Sequence, residues 1–278
     1  MKVGAAYNPS LGIVEMRDKE FTQIRDLIYR IAGISMTSAK KPLVSSRLGK
    51  RLRHHGLQSY SDYVQMITAA DGKVELQMAV DLLTTNETHF FREPKHFEFL
   101  RQQVLPTRKP GKTLRIWSAA CSSGEEPYSI AMLLDEVLAT APWEIVASDL
   151  STLVLDKARS GLFPMERMPE IPPKYLSNYC LRGTGTQEGT LLIERSLRDR
   201  VQFLQHNLTE SPPNLGQFDL IFLRNVMIYF DQDTKRQVVS RLLTLLRPGG
   251  YFLVGHSETL NGISDTLKTV QPAVYQKP

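Results

Sequence analysis

The run Thr113–Ala139, TLRIWSAACSSGEEPYSIAMLLDEVLA, reads as a buried strand, a turn of small residues and a helix. Leu114, Ile116 and Trp117 give strand character. Ala119, Ala120, Cys121, Ser122, Ser123 and Gly124 are all small, so a ligand can come close to this backbone. Glu125 and Glu126 fall in the first helical turn, where carboxylates favour the dipole. Ile130, Met132, Leu133, Val137 and Leu138 form an apolar stripe at helical spacing. Strand, loop and helix in this order open a doubly wound α/β fold, whose ligand lies beyond the carboxyl end of the strand.

A βα turn that binds nothing is the plain alternative, since such folds host many functions. The residue choice argues against it. A dinucleotide loop needs G-x-G-x-x-G, with amides free to hold a pyrophosphate. Here one glycine is followed by two carboxylates. That pattern suits a ligand with a cationic end and no phosphate, as in S-adenosylmethionine with its sulfonium and ammonium.

Working outward, the second strand WEIVASDL ends in Asp149, 25 residues after Gly124. An acidic group near this place accepts hydrogen bonds from ribose hydroxyls in nucleotide-binding α/β folds. The competing role is an N-cap for STLVLDKARSG, which Ser151 also fits. VQFLQHNL gives a third strand ending at Asn207 and Leu208, and FDLIFLRNVMIYF a fourth, leaving through Arg224 and Asn225 to Tyr229. Asp231 caps an amphipathic helix that RPGG ends, GYFLVGHSE is the fifth strand, and KTVQPAVYQK closes the sheet antiparallel. Glu126, Asp149, Asn207 and the Arg224–Asn225 pair therefore follow successive strands and belong on one sheet edge, the signature of a cofactor pocket. Residues 163–200 interrupt the βα rhythm with prolines, a Gly183–Gly185 turn and TLLI, read as a small hairpin insertion near 174–200.

Ahead of the α/β part, residues 16–86 contain no strand pattern and read as about four helices. Phe21, Ile24, Leu27, Ile28 and Ile31 stripe the first, which Gly33 stops. Pro42 opens the second, with Leu43, Val44, Leu48 and Leu52 inward. Tyr60–Thr68 and Val74–Leu83 are two more. The expected organisation is a helical domain over 1–86, a junction and linker over 87–112, and an α/β domain over 113–278.

Charge is divided unevenly. The net +5 resolves into 11 Lys/Arg against 4 Asp/Glu in residues 1–60, and 23 against 25 in the remainder. Lys40, Lys41, Arg47, Lys50, Arg51 and Arg53 crowd the second helix, which is either a solvated face or a docking face for an acidic surface. No aromatic interleaves them, which disfavours stacking of nucleic-acid bases. Two cysteines make no disulfide framework. No run approaches the ~18–20 apolar residues of a membrane span, and no hydrophobic signal core is present, so a soluble cytoplasmic protein is expected. His89 and His96 lack a third ligand at suitable spacing, so no metal is expected.

TTNETHFFREPKHF, WSAACSSGEEPYSIAM, FDLIFLRNVMIYFD and GHSETL resemble the signature blocks of chemotaxis receptor glutamate O-methyltransferases, the CheR family. They occur in order over nearly the whole chain. The resemblance implies an all-α N-terminal domain, a Rossmann-like S-adenosylmethionine-dependent methyltransferase domain and a β-subdomain. It implies cofactor contacts at Asn86, Thr88, Arg92, Glu126, Asp149, Asn207, Leu208, Arg224 and Asn225, with Arg92 and Tyr229 near the transferred methyl. It implies that the basic helix meets the receptor's methylation helices in the cytoplasmic domain. RGTG at Arg182–Gly185, with Gly183, resembles the version of the β-subdomain that holds a C-terminal receptor pentapeptide. The product is S-adenosylhomocysteine. A nucleic-acid methyltransferase is the rival reading, but the [N/D]-P-P-[Y/F] loop of amino-methylating enzymes is replaced by LRNVMIYF and no Pro-Cys occurs. A silent cofactor-binding module that docks on a receptor is the other.

Overall fold

The computed structural model describes residues 14–278. The chain divides between Thr85 and Asn86 into two compact units.

The first unit is helical. Helices α1 (Asp18–Ala32), α2 (Lys41–His55), α3 (Tyr60–Thr68) and α4 (Lys73–Leu83) sit where the apolar spacing predicts them. α1 and α2 both end on a left-handed glycine, Gly33 and Gly56, as helix C-termini favour. Ser59 caps α3, accepting a hydrogen bond from the Asp62 amide. Val44, Leu48 and Leu52 of α2 are buried, but Leu43 is exposed. It stands one residue, about 100° of helix, off the stripe that the four-residue steps trace. Buried Glu20 accepts from the amide and hydroxyl of Ser61, tying α1 to α3.

The second unit is a seven-stranded sheet with helices. It opens with α5 (Pro94–Phe99), which continues through a π-turn (Leu100–Val104) and a 3₁₀ turn (Leu105–Thr107). Much of the expected junction and linker over 87–112 is thus helical, up to Thr107. Phe97, Leu100 and Val104 recur at three- and four-residue spacing and enter the same core cluster as Leu114 and Ile130, so burial organises the segment. There follow β1 (Leu114–Ser118), α6 (Glu125–Leu138), β2 (Trp143–Asp149) and α7 (Thr152–Ser160). Next come β3 (Leu162–Pro164), α8 (Pro173–Tyr179), β4 (Cys180–Arg182), β5 (Thr190–Ile193) and α9 (Arg195–Arg198). β6 (Val201–Gln205), β7 (Phe218–Leu223), α10 (Gln232–Leu245), β8 (Leu246–Val254), β9 (Lys268–Gln271) and β10 (Val274–Gln276) complete it.

The large sheet runs β6-β2-β1-β7-β8-β10-β9. Its first five strands are parallel; β10 pairs antiparallel with β8 and β9 antiparallel with β10. Strand order therefore reverses at β1, between β2 and β7, and a crevice opens there at the carboxyl ends. β7 is buried at every residue, as a parallel strand covered on both faces must be.

Three expectations are corrected. The closing strand is a hairpin, because Pro272 and left-handed Ala273 make a turn inside KTVQPAVYQK. RPGG does not end α10; the chain passes directly into β8 at Leu246. The insertion is a three-stranded sheet, β3-β5-β4, that starts at Leu162, upstream of the expected 174. In addition Val137 of the α6 stripe is exposed, whereas Glu125 through Leu134 are all buried. Among the described residues no helix is long and apolar enough to cross a membrane.

Candidate functional site at the carboxyl edge of the sheet

The β1–α6 turn determines the shape of the edge. Gly124 caps α6 at φ 100°, a conformation that side-chain-bearing residues rarely adopt. A Cβ there would also lie 3.0 Å from the Cβ of Ala158 in α7, so glycine lets two helices approach. Ser122 is left-handed too, at φ 49°. In that conformation its amide donates to Asp149 Oδ2 at 2.9 Å, while its hydroxyl donates to the Asn86 carbonyl at 2.8 Å. One serine thereby ties the end of β2 to the start of the TTNETHFFREP segment.

Asp149 does not cap α7. Ser151 does, accepting from the Val154 amide. Asp149 Oδ1 instead accepts from the Ser151 amide at 3.0 Å. Each carboxylate oxygen thus holds a backbone N–H. Asn207 is half-buried, and its Oδ1 accepts from the amide and hydroxyl of Thr209; Leu208 beside it is buried.

On the other side of β1, Arg224 leaves β7 as a buried cation. Its Nη1 donates to Glu126 Oε2 at 2.7 Å, and its Nη2 donates to Glu93 Oε2 at 3.0 Å and to the Arg92 carbonyl. Glu126 Oε1 accepts from Ser118 Oγ at 2.7 Å. Arg224 Nε is buried without an acceptor. Burial pushes the Glu93 carboxyl up, but Arg224, the His256 amide and Asn225 outweigh it and hold it at about 2. Burial pushes the neighbouring Glu125 carboxyl up.

Sequence reasoning missed the residues that hold this frame. Glu93 Oε1 accepts from Asn225 Nδ2 at 3.3 Å and the His256 amide at 3.0 Å. Glu258 Oε2 accepts from the Asn225 amide at 2.8 Å and the Gly255 amide at 2.7 Å, and Glu258 Oε1 from the Ile228 amide at 3.3 Å. It therefore hangs the loop that carries left-handed Asn225 (φ 57°) and half-buried Tyr229. The insertion contributes as well. Arg167 donates to the Thr88 carbonyl at 2.9 Å, and Glu170 accepts from the Phe90 amide at 3.1 Å. The GHSE block was the only signal for Glu258; nothing local marks Arg167 or Glu170. Arg92 is half-buried, with its guanidinium on the Glu87 carbonyl. Cys121 is fully buried and burial raises its thiol well above the ordinary range, so it packs as a thiol.

The basic helix is less open than its charge suggests. Arg47 donates to the carbonyls of Leu82 and Thr84, and Arg51 makes a two-bond pair with Glu75. Burial raises the Glu75 carboxyl, but hydrogen bonds from Arg51, His55 and Tyr63 bring it to about 2. Lys41 pairs with Asp18. Lys40 and Lys50 are exposed and Arg53 is half-buried. In the small sheet, β4 is an edge strand. Gly183 leads out of it, where a Cβ would lie 1.9 Å from the Gln187 carbonyl. Arg182 and Gly185 are exposed.

The geometry can be set beside known proteins. Residues 19–84 match the family described as CheR methyltransferase, all-alpha domain, and residues 86–275 match CheR methyltransferase, SAM binding domain. The chain is 44% identical to chemotaxis protein methyltransferase 2 of Pseudomonas aeruginosa over 92% of each chain. It is 42% identical to the chemotaxis protein methyltransferase of Salmonella typhimurium, covering 89% of this chain and 86% of the relative. It is also 42% identical to that of Escherichia coli, covering 94% and 91%. The chain belongs to the CheR methyltransferase family, with an all-α domain followed by a SAM-binding methyltransferase domain.

Proposed function

We propose that this protein transfers the methyl group of S-adenosylmethionine to glutamate side chains in the cytoplasmic domain of chemotaxis receptors, leaving glutamate methyl esters and S-adenosylhomocysteine. The observation that carries this reading is the convergence of Glu126, Asp149, Arg224 and the Asn86–Glu93 segment on the carboxyl end of β1. The donor set suits the cofactor. Carboxylates at the strand ends favour a ligand with cationic groups and ribose hydroxyls, and the orphaned Arg224 Nε–H is a donor that the cofactor's own carboxylate would satisfy. Asn86, Thr88, Arg92, Glu126, Asp149, Asn207, Leu208, Arg224 and Asn225 are the residues assigned to hold it.

When bound, the cofactor supplies a methyl group on a positively charged sulfur that leaves as a neutral thioether. The accepting glutamate is already anionic at neutral pH, so the protein needs no general base. Its residues align the carboxylate for in-line displacement and strip it of water. Arg92 orients the incoming carboxylate, and Tyr229 packs and hydrogen-bonds beside it. Arg92→Ala is expected to lower turnover by at least about 100-fold, in line with the loss of one preorganised charged donor. Turnover equal to wild type in a methyl-transfer assay overturns the assignment. The function itself is tested by a filter assay with labelled cofactor. Label on a receptor cytoplasmic fragment and none on RNA supports this reading; the reverse supports a nucleic-acid enzyme.

Docking is assigned to the basic helix, with Lys40, Lys50 and Arg53 as the outward cations. Arg47→Ala is expected to cost about 1–3 kcal/mol of stability, because two carbonyls lose a charged donor. The Lys40→Ala/Lys50→Ala pair is expected to leave melting within about 0.5 kcal/mol of wild type and yet weaken binding to an acidic receptor fragment. Equal receptor affinity in the double variant counts against this face. The edge of β4 suits strand addition, and Arg182, Gly183 and Gly185 are assigned to a receptor-tail pentapeptide. Calorimetric titration of that peptide is expected to give saturable heat; silence at high peptide concentration overturns the tail site.

A further inference from the structure

The spacing of His89 and His96 along the chain argues against a metal, yet folding changes which groups are neighbours. Glu93, His96 and His256 offer one ligand atom each, all within 4.8 Å of one another. His256 comes from the end of β8, far from the other two in sequence. Beside Glu93 and His96 it forms the pair of imidazoles and one carboxylate that zinc-class ions take.

A second observation, independent of the clustering, singles out His96. Its side chain is fully buried, and neither ring nitrogen makes a hydrogen bond. A buried imidazole with both nitrogens unsatisfied is costly. An ion on one nitrogen removes half of that cost.

The distances suit a small tetrahedral ion. His96 Nδ1 lies 3.4 Å from Glu93 Oε2, and two donors on one zinc at ~2.0–2.1 Å are about 3.3 Å apart. His256 Nε2 stands 4.0 Å from the same oxygen and has to close by less than an ångström. Its side chain is 42% exposed, so it has room to swing and leaves an entry path and a fourth position for water. The local charge balance tolerates a cation. Arg224 is one guanidinium between two carboxylates, Glu93 and Glu126. Glu93 Oε1 already holds the Asn225 side chain and the His256 amide, so the ion competes only at Oε2, where Arg224 Nη2 sits.

We propose that Glu93, His96 and His256 form a binding site for a single zinc-class divalent ion. Occupancy draws Glu93 Oε2 away from Arg224. On the reading of Arg224 as a cofactor-holding residue, this makes the ion an inhibitor of cofactor binding.

The test uses untagged full-length protein, titrated calorimetrically with Zn²⁺ in a buffer that does not chelate it, and with Co²⁺ followed by visible absorption. One ion per chain is expected with micromolar affinity, and tetrahedral Co²⁺ bands. His256→Ala removes an exposed ligand, keeps the backbone amide on Glu93, and is expected to weaken binding at least tenfold. His55→Ala is the control, because His55 and Glu75 form another, half-buried His–carboxylate pair, and it is expected to change nothing. Failure of the wild type to bind, equal affinity in His256→Ala, or loss in His55→Ala alone overturns the site. Saturating Zn²⁺ is further expected to weaken S-adenosylhomocysteine binding in wild type and not in His256→Ala. Zn²⁺ binding without that change overturns the role given to Arg224 and leaves the ion site standing.

Discussion

Replacing Arg224 by alanine is expected to unfold the site and much of the stability with it. The side chain bridges Glu93 and Glu126 and holds the Arg92 carbonyl while almost fully buried. Its removal strands the buried carboxylate of Glu126 and the half-buried one of Glu93. Breaking a buried pair from one side costs about 3–5 kcal/mol, which lowers the melting temperature of a unit this size by about 6–20 °C. Arg224→Lys keeps the charge but has no planar fork to reach both carboxylates at once. Lysine is therefore expected to restore part of the stability and little of the cofactor affinity. Thermal melting with and without S-adenosylhomocysteine separates the two effects. A variant that melts and responds to the nucleoside like wild type would remove the bridge from the account.

The second large effect is expected at Asp149, where the cost falls on binding more than on folding. Asp149→Ala deprives the Ser122 and Ser151 amides of their acceptor. Each buried N–H left unpaired costs about 1–3 kcal/mol, although water entering the vacated space recovers part of it. The Ser122 turn also holds Asn86, so the loop and the proposed ribose acceptor are lost together. S-adenosylhomocysteine affinity is expected to fall at least about 100-fold, equivalent to about 2.7 kcal/mol, by calorimetry at a temperature where the variant is still folded. Undiminished affinity means that the ribose is held elsewhere. Asp149→Asn distinguishes the contributions, because one amide oxygen still accepts while the –NH₂ faces a donor.

Much of this architecture is written in local pattern. The parallel strands are short apolar runs ending in Asp149, Gln205 and Leu223, and their polar successors fall on one edge because parallel strands share a direction. The four helices of the first unit follow from apolar spacing and the stops at Gly33 and Gly56. What was not legible is side-chain partnership across long separations. Glu93 reads as one more charge after Arg92, yet it meets Arg224 and His256, 131 and 163 residues away. Arg47 and Arg51 count as docking charges in composition, but a charge count does not say which way a guanidinium turns; both turn inward. The prolines of residues 164–173 read as a break in the fold, and the same stretch supplies Arg167 and Glu170 to clasp Thr88 and Phe90. Their partners lie 79 and 80 residues upstream, beyond any periodic signal.

The peptide between Thr85 and Asn86 has a consequence for how such enzymes diversify. Residues immediately after it are fastened by Ser122, Ser129, Arg167, Glu170 and Arg224, all from the second unit. A recombination event that joins a foreign helical segment at this seam keeps all five of these tethers inside the second unit. A crossover placed after Thr107, in the turn that precedes β1, would sever all five. Gene fusion and laboratory chimeras alike are therefore best spliced here.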